Sequence, residues 1–508
     1  MLSSSPNNKS PTFILTADDS LMSQSKHGLY SSYMACFPTN VMAESELKGY
    51  YQPPECYPNG KARRAPLSLR ILEAILHCFG FEKSEYATVP RFNLEKFVGE
   101  KTKVIAVSTM DPEGLGPLTQ TLQLFYGDEN TEPYTKTAFN RLMTEIKTLK
   151  EKYKQIKVVV GGPGAWQLSS HKLLEKYGID HLVIGEVESI APKLFGSLTA
   201  KENVSSPKII VCEPADVDMI PPILDATING LVEVSRGCGR GCSWCFSSTS
   251  GRMRCLPIEK IKKSVEANLK GKAAEITLQS NDILLYESNS KRFIPDPDAV
   301  LSLMKELYSM GNVGSVLPIH FSIASIAADP DLLNKLTALI KEKSVNLNLE
   351  KFVVQIGIET GSPRIIERYM RGKTLPFSPY EWPKIVKEAL KTLDEEGWFC
   401  YGTLIFGFPE EDEGDINQTI ELIRNLKGLK VIIIPLIFTF LNAESEKAKS
   451  SKKETLWKHL PLLYEIQRHN EKTASRYGNL GHLKFLKKNP LTERRNLDFL
   501  RRHVCVAN

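Results

Sequence analysis

The sequence predicts an α/β protein: a doubly wound, Rossmann-like parallel sheet, then a (β/α)6-type partial TIM barrel, then a helical C-terminal extension. Three observations carry that prediction. Short β-branched runs ending in glycine loops alternate with amphipathic segments from residue 101 onward. The alternation pauses in a Pro- and Asp-rich stretch at 211–230 and then resumes for about six further units. A chain of 508 residues is long enough to bury several cores of this kind.

Residues 1–12 are expected to be frayed, and 1–95 reads as an irregular N-terminal segment. Within it "YYQPPECYPNGKARRAP" is a loop and "LSLRILEAILHCFG" an amphipathic helix closed by Gly80. The front domain is placed at 96–215. "KVIAVST" (103–109) is its first strand, followed by the turn "MDPEGLGP" and an amphipathic segment running into "TEIKTLKEKY". "KVVVGGPG" (157–164) and "IDHLVIGEVES" (179–189) are the next two strands. Ligands of such sheets sit at the carboxyl ends of the strands. Here those are the loops 109–117, 161–166 and 185–189.

The barrel is placed at 225–445. "LVEVS" leads into a cysteine loop, a helix follows near 257–270, and "AEITLQS" is the next strand. A helix near 297–310 precedes the strand "IHFSIAS", and "DPDLLNKLTALIKE" is a helix begun by an Asp-Pro signal. "FVVQIGIE", a helix near 380–396, "CYGTLIFGF", a helix near 415–426 and "VIIIPLIF" complete the series. The working face of a barrel is the carboxyl ends of its strands. Residues 446–508 read as a lysine-rich helical extension.

The composition is that of a soluble globular protein, 42% apolar and 24% charged. Lys and Arg number 65 against 59 Asp and Glu, an excess too small to argue for nucleic acid. The longest apolar run, "VIIIPLIFTFL" (431–441), is about half a membrane span and holds Pro435, so no membrane partner is expected. "MLSSSPNNKSPTF" lacks an apolar h-region. The expected setting is a reducing cytoplasm, where clustered cysteines serve as metal ligands rather than disulfides.

"SRGCGRGCSWCF" (235–246) places Cys238, Cys242 and Cys245 directly after the first barrel strand. Gly237, Gly239 and Gly241 let the loop fold tightly around a bulky ligand. A four-iron cubane held by three thiolates keeps one iron open to a chelating small molecule. A structural zinc with Cys255 as fourth ligand is the alternative, although zinc sites usually pair their cysteines as two separate hooks.

CxxxCxxC with Trp244 before its last cysteine, at the end of a first barrel strand, resembles the radical S-adenosylmethionine (SAM) superfamily. That resemblance implies a [4Fe-4S] cluster on the three cysteines, with SAM chelating the open iron. It extends over most of 230–440. "ITLQSND" (276–282) occupies the segment that meets the SAM amino group, giving Ser280 and Asp282. "FSIASIAADP" (321–330) is similar to the ribose-contacting stretch, through Ser322 or Ser325. "QIGIETGSPRIIERYMRGK" (355–373), with Glu359 in the barrel mouth, and "IFGFPEEDEGD" (405–415) resemble the cobalamin-linked branch.

In front of the barrel, "GGPGAWQ" and "VIGEVES" are similar to cobalamin-binding domains. The resemblance makes Ser108, Thr109, Asp111, Glu113, Gly114, Gly116, Gly162, Pro163, Gly164, Gly185 and Glu186 candidate cobalamin contacts. Where such domains carry Asp-x-His-x-x-Gly, this chain reads Asp111-Pro112-Glu113-Gly114-Leu115-Gly116. The loop therefore supplies no histidine, and a base-off cobalamin without a histidine lower ligand is expected; water, nothing or Glu113 is left open below the metal.

"LTADDSLMSQSKHGLYSSYMACFP" (15–38) and "KARRAPLSLRILEA" (61–74) resemble a subgroup of cobalamin-dependent radical SAM methyltransferases known largely from methane-producing archaea. Tyr30, Tyr33, Arg63 and Arg64 are expected as fold contacts or corrin partners. The resemblance implies C-methylation of an unactivated carbon in a peptide or protein, as in post-translational modification linked to methanogenesis. Its reference activity methylates a glutamine α-carbon in the methyl-coenzyme M reductase alpha subunit. One SAM would methylate reduced cobalamin and a second would yield the adenosyl radical, so an electron donor is also implied. Two alternatives stay open: a non-methylating rearrangement with the same cofactors, and a non-enzymatic corrinoid- or zinc-binding scaffold. The basic stretch "HLKFLKKNPLTERRNLDFLRR" reads as a solvated helical face or a grip on a partner.

Overall fold

The computed structural model describes residues 10–25, 29–127, 130–200, 208–245, 251–345, 352–439 and 454–477, and the side chains of 25–32 lie outside that description. The side chain of Tyr30 and the whole basic stretch 482–502 therefore lie outside it. The chain divides into two compact units, Met1–Leu231 with Glu259–Ala273, and Val232–Ile258 with Ala274–Asn508.

The first unit is built on a six-stranded sheet. In spatial order its strands are Tyr86–Thr88, Phe13–Ala17, Val104–Ser108, Lys157–Gly161, His181–Ile184 and Ile209–Val211. Every pairing is parallel. Residues alternate between the faces, as strand geometry requires. Ile14, Ile105, Val107, Val158 and Val160 pack with Phe139, Leu142 and Ile146 of the helix Tyr134–Lys152. Phe13, Leu15, Val104, Ala106 and Val159 pack on the other side with Leu69, Ile75 and Leu76 of Leu67–Cys78 and with Leu194 and Phe195. The sheet is doubly wound, as expected.

The expected boundary at 95/96 is corrected here. Strands Phe13–Ala17 and Tyr86–Thr88 belong to the same sheet as Val104–Ser108, so 1–95 is no separate irregular segment. "FILTA" is buried on both faces, so it carries no polar/apolar alternation to announce a strand. The helix Ile258–Lys270, assigned to the barrel from its position in sequence, groups with the first unit. Its Asn268 Oδ1 accepts from Thr227 N at 2.9 Å, and its Ser264 Oγ accepts from Ile223 N at 3.3 Å.

The second unit holds the partial barrel. Leu231–Glu233, Glu275–Gln279 and Ser315–Pro318 form one three-stranded sheet; Val353–Glu359, Phe399–Phe406 and Val431–Ile437 form another. A parallel bridge between His320 and Gln355 joins the two, giving six strands in chain order. The expected strand "IHFSIAS" is also corrected. The strand is Ser315–Pro318, and Ile323–Ala328 is a short helix. Pro318 has no N–H to continue the ladder, and the alanine-rich run that follows favours helix.

The last strand has its edge covered by the helix Leu460–Tyr477. Asn470 substitutes for a neighbouring strand: its Oδ1 accepts from Ile433 N at 2.8 Å and its Nδ2 donates to Ile433 O at 2.7 Å. Covered edges cannot recruit another chain. Among the described residues no helix is long and apolar enough to cross a membrane.

Candidate functional site

The barrel's chemistry collects where its strands end. Gly237, Gly239 and Gly241 all take positive φ, 72°, 73° and 67°, so the cysteine loop turns as its glycines predicted. Cys242 is buried, whereas Cys238 and Cys245 are partly accessible. Burial pushes the Cys242 thiol up to about 12; the neighbouring Lys373 opposes that rise, and Cys245, Glu359 and Cys238 add to it. Metal coordination would remove the proton, because the thiolate is the ligand.

Two charge pairs lie at the loop, the first with a partly buried lysine. Lys373 Nζ lies 2.9 Å from Glu359 Oε1, and Thr403 Oγ1 donates to Glu359 Oε2 at 3.3 Å. Burial works against the Lys373 charge, but Glu359 and Cys242 hold its ammonium above the ordinary lysine range. Glu359 itself has φ +64° at a strand irregularity, a conformation that stores backbone strain in a residue with a Cβ. Gly357 makes room for the pair, since a Cβ there would overlap both Glu359 Oε1 and Lys373 Nζ.

The second pair is Arg240 with Asp282, 3.5 Å apart and both buried. Ser325 Oγ donates to Asp282 Oδ2 at 2.6 Å and accepts from Arg240 Nη2 at 3.0 Å. Ser280 Oγ shares a hydrogen bond of 2.7 Å with Ser235 and accepts from Asp282 N. Ser280, Asp282 and Ser325 were expected as direct SAM contacts. The structure instead seals all three at 2% exposure or less, hydrogen-bonded to protein, which is a supporting position. Ser322 begins the short helix, and its N–H faces Asp282.

Unspent hydrogen-bonding capacity lies close by. Arg240 Nε, Trp244 Nε1 and His320 Nδ1 are inaccessible and have no partner. Burial lowers the His320 imidazole to about 4, with Asp282 and Lys373 nearby, so it stays neutral at physiological pH. Buried polar atoms of this kind are normally satisfied, and groups left over point to a bound polar molecule. Three thiols in one tight loop and a rim of unspent donors fit an iron–sulfur cluster with a zwitterionic ligand.

Cys255 does not join them. Its strand Arg254–Cys255 pairs with Ser235–Arg236, and its thiol accepts from Glu287 N at 3.2 Å. Among the described residues no group of three His, Cys, Asp or Glu is placed to hold a single metal ion. The engagement of the Cys255 thiol with the Glu287 amide speaks against it as the fourth ligand of a zinc site.

In the first unit the strand order reverses between Phe13–Ala17 and Val104–Ser108, and such switch points open the ligand crevice of doubly wound sheets. Thr16 Oγ1 and Thr109 Oγ1, both fully buried and unpartnered, flank that point. Asp18 follows the first strand at 3% exposure, its carboxylate accepting from Ser20 N and Leu21 N. Cys36 sits beside Asp111 and Thr119, and burial pushes its thiol up to about 12.

The expected contacts in this unit divide. Asp111 Oδ1 accepts from Gly116 N at 2.8 Å and Gln167 Nε2 at 2.7 Å, and its Oδ2 accepts from Thr119 Oγ1 at 2.5 Å. Glu113 is held by Tyr177 Oη at 2.5 Å and Lys136 Nζ at 3.5 Å. Both carboxylates are committed to the protein, so Glu113 is not free to stand as an axial donor. A Cβ on Gly162 (φ +96°) would come within 2.8 Å of Ser108 Oγ and Thr109 O, and one on Gly164 would overlap Met110 O. Gly116 backs onto Asp111, Gly114 onto Pro133 and Gly185 onto Cys212. These glycines serve loop-on-loop packing. Ser108 Oγ meets Ser68 Oγ at 2.7 Å, Glu186 Oε2 accepts from Ala215 N, and Pro163 is exposed. Arg63 pairs with Glu55 and Arg64 donates to Gln24, both fold contacts; Tyr33 is buried deeply enough to raise its phenol.

Asp18, Arg240, His320 and Lys373 were missed by sequence reasoning. All four lie inside stretches quoted above, "LTADDS" for Asp18 and "IHFSIAS" for His320 among them, but nothing in the sequence singled out these side chains. Asp18 supplies a pH test. Burial raises its carboxyl from 3.8 to about 6, so the folded state favours the protonated form. The resulting stability is complete below about pH 4 and is lost as pH rises through 6, about 3 kcal/mol in all. Urea denaturation should show this loss in the wild type and a flatter profile in Asp18→Asn; equal profiles would contradict it.

Residues 232–423 match the Radical SAM superfamily. The match is confined to this stretch, which is similar to radical SAM domains. Among curated proteins, the tRNA-2-methylthio-N(6)-dimethylallyladenosine synthase of Fusobacterium nucleatum is 24% identical over 290 residues, covering 56% of this chain and 60% of its own. The Syntrophomonas wolfei synthase of that name is 25% identical over 329 residues, 64% and 66% respectively. The chain thus spans less than two thirds of the length of either relative. Among solved structures, the radical SAM methyltransferase TsrM of Kitasatospora setae, with tryptophan substrate and a SAM analogue bound, aligns with a TM-score of 0.50 at 13% identity. It covers 83% of this chain and 73% of its own, and it speaks for the fold.

Proposed function

We propose that the protein is a cobalamin-dependent radical SAM C-methyltransferase acting on an unactivated sp3 carbon of a peptidyl substrate. The observation that carries the radical chemistry is the three-cysteine loop at the end of the first strand of the stretch that matches radical SAM proteins, with the thiol of Cys255 turned to the Glu287 amide instead. When bound, the cluster would supply the electron that cleaves SAM, and cobalamin the methyl group.

The chain's own residues account for the rest. Cys238, Cys242 and Cys245 would hold the cluster. Lys373 and Glu359 present opposite charges beside Cys242, suited to the carboxylate and ammonium of an amino-acid ligand. Neutral His320 offers a hydrogen bond without adding charge. The switch point at Thr16, Asp18 and Thr109 is the place for the corrinoid. No histidine stands in the 111–116 loop and Glu113 is committed elsewhere, which supports a base-off cofactor without a protein ligand. Segments 15–38 and 61–74 support a protein substrate of the methyl-coenzyme M reductase alpha-subunit kind, methylated at a glutamine α-carbon.

A second reading, methylthio transfer, is favoured by the curated relatives. One experiment separates them. Anaerobic turnover with methyl-labelled SAM and candidate peptide should move label to a product carbon, with one S-adenosylhomocysteine and one deoxyadenosine per methyl. A methylthio mass increment supports the second reading, and deoxyadenosine without labelled product supports a rearrangement.

A further inference from the structure

The geometry points to Arg240 as a positioning residue that clamps the cluster-binding loop onto the ends of the barrel strands. The inference rests on the radical SAM reading above and assigns a role to a residue lying between two of the cluster cysteines.

Arg240 is 7% exposed, in a loop whose neighbouring glycines lack side chains to anchor it. Its Nη1 donates to three carbonyls of one turn: Gly372 at 3.2 Å, Lys373 at 3.1 Å and Leu375 at 3.0 Å. Its Nη2 reaches Ser325 Oγ and Asp282 Oδ2. Its guanidinium lies over the Phe293 ring, 4.6 Å from the centroid. One side chain thus ties the loop to residues following the second, third and fourth strands. The turn it grips also carries Lys373, the cation beside Cys242. On the opposite side Gly372 lies so close to the Arg240 carbonyl that a Cβ would overlap it. Loop and turn are locked in both directions.

A planar fork with several donors can make these bonds together, and a lysine ammonium cannot. Surface placement of an arginine would not explain a buried guanidinium shared among five acceptors. The arrangement is that of a pre-organised support which fixes the thiols before the cluster is inserted. It also connects Asp282 and Ser325 to catalysis without requiring either to touch SAM.

The test uses the full chain, prepared anaerobically as wild type, Arg240→Ala and Arg240→Lys. In the cluster-free proteins, maleimide labelling of Cys242 is followed by mass spectrometry. Release of the loop should raise the labelling rate by about tenfold or more in both variants. After reconstitution both should still take up iron, but the change that SAM causes in the electron paramagnetic resonance signal of the reduced cluster should be weakened or lost. Circular dichroism checks the fold. Should neither variant fold, Gly372→Ala displaces the loop from the other side and should expose Cys242 in the same way. Unchanged Cys242 labelling with an unchanged SAM response overturns the clamp. A wild type that accepts no four-iron cluster overturns the radical SAM reading instead, and the cluster-free labelling still decides the clamp.

Discussion

Replacing Cys242 by alanine should abolish reductive cleavage of SAM, lowering the rate by at least about 10³-fold, or about 4 kcal/mol of barrier. A cubane with one iron reserved for substrate already uses all three thiolates, so none is spare. The nearest further cysteine along the chain, Cys255, has its thiol turned to the Glu287 amide. The same substitution also removes the buried member of the set, so the remaining two thiols would sit at the accessible rim. Iron analysis, absorbance and deoxyadenosine formation under anaerobic reduction measure the outcome. A variant that keeps its iron and still releases deoxyadenosine would remove the basis of the proposed function.

Lys373→Met should be the most damaging single change outside the cysteines. It leaves the Glu359 carboxylate, 4% exposed at its side chain, buried without its counter-charge. Breaking a buried pair from one side destabilises by about 3–5 kcal/mol, whereas replacing both partners is far milder. Chemical denaturation should therefore show a large loss for Lys373→Met and recovery in the double variant Lys373→Met/Glu359→Gln. On the proposed role of this pair in meeting the amino-acid end of SAM, SAM affinity should stay low in both variants. If the double variant recovered SAM binding along with stability, the pair would be structural only.

Much of this was legible in the sequence, and for identifiable reasons. Strands such as "KVVVGG" and "FVVQIGIE" announce themselves because β-branched runs end in glycine or acid at a loop. The cysteine loop is local, so its spacing and its glycines survive translation into geometry. Strand Phe13–Ala17 was not legible. It owes its existence to pairing with Tyr86–Thr88 and Val104–Ser108, contacts far away along the chain. With that strand hidden, the switch point beside Thr16 and Asp18 was hidden as well, and attention fell on later glycine loops. Those glycines are real constraints, but they answer to backbone neighbours such as Thr109 and Met110. In the barrel, the motifs led to Asp282 and Ser325, and the structure adds that their hydrogen bonds run to each other and to Arg240. Sequence position says which strand end a residue occupies, not whether its hydrogen bonds are already taken.

The N-terminal strand's seat inside its sheet has a practical consequence for anyone dissecting the protein. A recombinant fragment started at residue 96, where hydropathy suggests a clean cut, would forfeit two of six strands and strip Val104–Ser108 of a neighbour. An uncovered apolar strand edge of that sort invites intermolecular pairing. Such a fragment should precipitate or oligomerise, and its failure to bind a corrinoid would say nothing about the intact chain.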